Sequence, residues 1–131
     1  MGAVFKTAFA VGLIFYIMSG GSPWTTAGTM NMIMGRDFVA SFWTILIGHF
    51  AVSLLYTWII ASVIYRLSTP AAVPIGVGLG IVLYFANLIA FWSLRGKMQS
   101  PEFVTFFVHF TFSLFAALMY KAFSVPKVAR D

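Results

Sequence analysis

Between Asp37 and Arg66 the chain runs without one charged side chain. The same holds from Lys6 to Arg36, from Arg66 to Arg95 and from Glu102 to Lys121. Four uncharged stretches of this length leave few folds open. Soluble domains carry about 25% charged residues. This chain carries 8%, against 61% hydrophobic residues, with a mean hydropathy of +0.96. A surface that poor in charge is not stable in water, so the apolar excess is expected to face lipid.

Crossing ~30 Å of hydrocarbon takes roughly 20 residues of helix. The four stretches predict helices over about 3–19, 38–65, 73–92 and 103–123. The expected fold is all-α: a polytopic membrane protein, a four-transmembrane-helix bundle in a single domain spanning residues 1–131. Lys6 can snorkel from the start of the first helix. That helix is read as retained, because the run through Ser19 continues into Gly20-Gly21-Ser22-Pro23 without a clean Ala-x-Ala cleavage site. Ser22-Pro23 and Ser100-Pro101 are expected helix starts, with Ser as cap and Pro at the first helical position. Trp24 to Met34 suggests a short interfacial helix between the first two spans. Arg66 to Pro70 reads as a tight turn, and Pro126 as the end of the last helix.

The net charge is +5. The basic residues stand singly near helix ends, which fits membrane topology and anionic headgroups and not nucleic acid. Four spans put Lys6, Arg66, Lys121, Lys127 and Arg130 on one side and Arg36, Arg95 and Lys97 on the other. The richer side is expected to be cytoplasmic, and it carries both termini.

The two halves share a pattern. Gly12 precedes Tyr16 as Gly80 precedes Tyr84. His49-Phe50-x-x-Ser53-Leu54 matches His109-Phe110-x-x-Ser113-Leu114, and the chain has no other histidine. Two repeated helical hairpins are the expected origin, related by an axis along the membrane normal.

Polar side chains inside a bilayer are costly unless they face a partner. Here they fall on stripes at helical spacing. His49, Ser53 and Thr57 line the second helix, and Thr105, His109 and Ser113 the fourth. Tyr84 and Asn87 lie on the third, and Tyr16 on the first. Gly12, Gly76 and Gly80 are the expected points of close helix packing. This polar seam has three readings. The first is interhelical hydrogen bonding in a non-enzymatic accessory or structural subunit, packed against other membrane subunits or itself. The second is a small transporter or channel with a path along the hydroxyls and imidazoles. The third is a b-type haem held between His49 and His109. Counting back from Tyr65 and Tyr120 sets those two imidazoles roughly 7–8 Å apart in depth.

Met30-Asn31-Met32-Ile33-Met34 carries thioethers that suit Cu(I), though methionine is ordinary filler on apolar faces. No metal site or resident cofactor is otherwise expected. With no cysteine, two histidines and three acids outside the spans, the sequence offers no catalytic set, and an enzyme is not expected.

His49 with Ser53, Gly76 and Gly80, and Pro101-Glu102-Phe103 leading to His109, Ser113 and Lys121, resemble the YagU-like family of small bacterial inner-membrane proteins over residues 45–121. The resemblance implies a polytopic protein of the bacterial inner membrane, tied to envelope or acid-stress behaviour, with no assigned reaction.

Overall fold

The computed structural model describes residues 1–18, 42–95 and 103–124. Among these the chain is wholly helical, in four helices: α1 (Gly2–Met18), α2 (Phe42–Ile64), α3 (Thr69–Arg95) and α4 (Phe103–Ser124). The expected interfacial helix, the Ser22-Pro23 and Ser100-Pro101 caps, the methionine cluster and Pro126 lie outside the described residues. Helices α2, α3 and α4 are each long and apolar enough to cross a membrane, which marks an integral membrane protein. Helix α1 is equally apolar but has 17 residues. At 1.5 Å per residue that is about 26 Å, a little less than the hydrocarbon thickness.

The third helix begins four residues before the position expected at 73. The Ser68 carbonyl accepts from the Ala71 and Ala72 N–H groups at 3.1 and 2.8 Å, so the helix already runs at Thr69. Pro70 sits in the first turn, where a missing N–H costs nothing. Pro74 lies inside the helix one turn later. Its ring deprives only the Pro70 carbonyl of a partner, so the helix passes through both prolines. The third helix also reaches Arg95, three residues beyond the expected 92.

Neighbouring helices alternate in direction. Gly76 faces Ala117 and Gly80 faces Ser113, so residue numbers rise on α3 as they fall on α4. The ring pairs Phe9–Phe50 and Tyr16–His49 place α1 antiparallel to α2. Tyr56 lies beside His109, and Lys121 reaches Tyr65, so α2 and α4 run parallel. The start of α1, the turn after α2 and the end of α4 therefore share one end of the bundle. Val11, Ile60, Ile64, Ala72, Phe112, Ala116 and Ala117 form the buried core toward that end. The small residues in this set let the backbones approach, as close helix packing in lipid requires.

Large apolar side chains line the outer surface. Phe5, Phe9, Leu13 and Ile17 recur every fourth residue on α1, and Trp43, Ile47, Leu55 and Trp58 are exposed on α2. Val82, Phe85 and Ile89 do the same on α3, and Phe103, Phe107 and Phe115 on α4. The polar stripes point the other way, into the bundle.

Candidate functional site

Each histidine lies beside a glycine-bearing helix, α1 for His49 and α3 for His109, but the two imidazoles bond different partners. In the first hairpin, His49 Nε2 donates to the Gly12 carbonyl at 2.9 Å, since a carbonyl can only accept. The Tyr16 ring lies 6.1 Å from the imidazole, and Phe50 packs edge-on at 5.6 Å. A Cβ at Gly12 would lie 3.1 Å from both the Phe50 ring and Ser53 Oγ, so α1 and α2 pack closely here. In the second hairpin, Gly80 faces Ser113 still more tightly, and the Tyr84 ring lies 5.6 Å from His109.

His109 is held from two sides. Its Nδ1 lies 2.8 Å from the Thr105 carbonyl, one turn back on the same helix, and so carries the proton. In the neutral ring Nε2 is then the acceptor, and Asn87 Nδ2 donates to it at 2.7 Å. The Tyr56 ring of α2 packs 5.9 Å from the same imidazole. Side chains of α2, α3 and α4 thus meet at one half-buried point. Thr105 contributes its backbone oxygen there, where the stripe suggested its hydroxyl.

Sequence reasoning missed Tyr56, although it follows Ser53 by three and fits the stripe. It also read Lys121 as a topological charge and a point of the family resemblance, not as a buried donor. That side chain is buried, and its ammonium donates to the Tyr65 carbonyl at 3.2 Å and to the Leu67 carbonyl. A cation from α4 thereby satisfies carbonyls left over at the C-terminal end of α2, where the helix dipole also favours positive charge.

The other expected site residues are placed as follows. Ser53 and Ser113 are buried at the glycine contacts. Thr57 is fully buried, and its hydroxyl has no hydrogen-bond partner among the described residues. Thr7 Oγ1 and the Tyr84 hydroxyl share that condition.

The structure does not bring His49 and His109 together. His109 lies level with Tyr56, seven residues past His49 along α2, which is roughly 10 Å at 1.5 Å per residue. The sequence count of 7–8 Å fell short because Tyr65 and Tyr120 are not level with each other: nine residues on from the Tyr56–His109 pair, Tyr65 comes level with Leu118, so Tyr120 lies farther along. Each imidazole is also already engaged through Nε2. The pair does not fit as axial ligands of one haem. Among the described residues, no three His, Asp or Glu side chains converge on a point.

A scan against protein-family models, a search of curated proteins and a search of solved structures each found no match to this chain.

Proposed function

We propose that this chain is a non-enzymatic integral membrane protein with four spans and both termini in the cytoplasm, acting as an accessory or structural subunit. Its partners are other membrane subunits or further copies of itself, and the bacterial inner membrane is its expected location. One observation carries this reading: both histidines of the polar seam are spent on contacts within the bundle. His49 bonds α1, Asn87 bonds His109 between α3 and α4 with the Tyr56 ring of α2 packed beside it, and Lys121 closes the α2 terminus. What remains for other molecules is the outer face, rich in Phe, Trp, Ile and Leu.

The repeat is part of the proposal. Gly12 with Ser53 and Gly80 with Ser113 are equivalent contacts, as are Tyr16 with His49 and Tyr84 with His109. Two such hairpins place both termini on one side. The resemblance to the YagU-like family agrees with this architecture and adds no reaction.

The test is the mass of the particle extracted from native membranes into lipid nanodiscs. A complex well above the 14.5 kDa of one chain is expected. A lone monomer would rule the reading out.

A second reading, a small transporter or channel, is favoured by the three buried hydroxyls of Thr7, Thr57 and Tyr84 that bond nothing among the described residues. A passing water or small polar solute would find acceptors and donors there. Reconstituted liposomes that leak no faster than protein-free ones would remove it.

A further inference from the structure

The strongest unused feature is the basic end of the bundle, around the turn that follows α2. Arg66 is fully outside the packed core, yet its backbone is fixed on both sides. The carbonyls of Tyr65 and Leu67, its two neighbours, both accept from the buried Lys121 ammonium. The Arg66 guanidinium in turn lies 5.1 Å over the exposed Tyr65 ring, a cation–π contact. The turn therefore presents a positioned cation and an amphipathic aromatic at the end of a membrane-length helix, the depth at which tyrosines meet headgroups. Lys6, also exposed, lies toward the same end on α1. No acidic side chain stands among the described residues to neutralise any of them.

We infer that this end is a recognition surface for anionic phospholipid headgroups, with Arg66 as its principal contact and Lys6 as a second. A guanidinium offers paired donors that match phosphate oxygens, and each Lys or Arg held near a membrane surface is drawn to its anionic lipid. The charge at this face and its place at the end of the spans select lipid over a soluble partner. Lys121 is a positioning residue: its ammonium is spent on the turn and does not touch the lipid. The inference rests on membrane insertion and is independent of the accessory role, so a monomeric particle would leave it standing.

The experiment measures the preference of the whole protein for spin-labelled phosphatidylglycerol over spin-labelled phosphatidylcholine in mixed vesicles of the two lipids. The wild-type chain should favour phosphatidylglycerol, and the preference should shrink as salt rises past the ~10 Å screening length of 0.1 M. Arg66→Gln should reduce it by about five-fold at the affected site, with a smaller loss for Lys6→Gln. Arg66→Lys, which keeps the charge, should retain most of it. Both positions are exposed, and unchanged helical circular dichroism separates a lost site from a lost fold. The inference is overturned if wild type shows no preference, if Arg66→Gln keeps it, or if Lys97→Gln, from the opposite sequence-predicted side, lowers it as much. Loss of an acidic protein partner in Arg66→Gln without any lipid effect would equally overturn it.

Discussion

A methyl group at Gly80 would lie 2.5 Å from Ser113 Cβ and 2.9 Å from the His109 carbonyl oxygen. The second neighbour is backbone, so the clash cannot be relieved by turning a side chain. Two residues earlier, a methyl group at Gly78 would meet nothing within 4 Å. The two glycines on one helix should respond oppositely to alanine. Gly80→Ala should destabilise the bundle by about 1–3 kcal/mol through overpacking. Gly78→Ala should stabilise it by roughly 0.5–1 kcal/mol through helix propensity. Reversible unfolding in mixed micelles would show this, and equal tolerance of both would refute the close approach of α3 and α4. The histidines make a second contrast. His49 faces a carbonyl through Nε2 and His109 through Nδ1, so their neutral rings should be opposite tautomers. Nitrogen-15 NMR distinguishes the two, and identical tautomers would contradict the placement. The glycine and histidine positions were readable because each stands on a period of three or four beside a small residue. Tyr56 fitted that period too, but an apolar helix hides which aromatic faces inward.

Among the elements, the pairing of α2 with α4 was the least legible. Lys121 and the Tyr65–Leu67 turn are more than fifty positions apart in sequence, and no local pattern links a lysine to carbonyls that distant. Hydropathy reads a terminal lysine as a snorkelling charge, and here the ammonium turns inward instead. The start of α3 was obscured by a similar conflict. Pro70 and Pro74 signal a break by their chemistry, but both fall where few carbonyls depend on their missing N–H. If Lys121 holds the turn, Lys121→Met should cost about 1–3 kcal/mol, the penalty for leaving buried acceptors unpaired. Hydrogen exchange should quicken around residues 65–68 while the α1–α2 contact at Gly12 keeps its protection. Lys121→Arg should recover part of the loss. Uniform acceleration over the whole chain would instead mark Lys121 as one packing contact among many.

At the scale of the molecule, α1 is the shortest of the four helices described. Its 17 residues fall a few ångströms short of the hydrocarbon thickness. The remainder can come from local thinning of the bilayer or from snorkelling by Lys6, at a small cost per ångström. Its packing argues for a span. It lies antiparallel along α2, it contributes Val11 to the core, and its outer stripe of Phe5, Phe9, Leu13 and Ile17 is as apolar as that of its neighbours. A surface-lying helix would set a charged face against water, and α1 has Lys6 alone. The chain contains no cysteine, so single-cysteine variants report position cleanly. With four spans, Gly2→Cys, Ser68→Cys and Ala129→Cys should all react with a membrane-impermeant thiol reagent from the cytoplasmic side, and Ser100→Cys only from the other. If α1 does not cross and the three longer helices do, a single crossing separates Gly2 from Ser68, and the two cysteines lie on opposite sides. Labelling of Gly2→Cys from the side opposite Ser68→Cys would rule out four antiparallel spans and, with them, the proposed pair of equivalent hairpins. Labelling from the same side as Ser68→Cys and Ala129→Cys, with Ser100→Cys opposite, is the result that four antiparallel spans require.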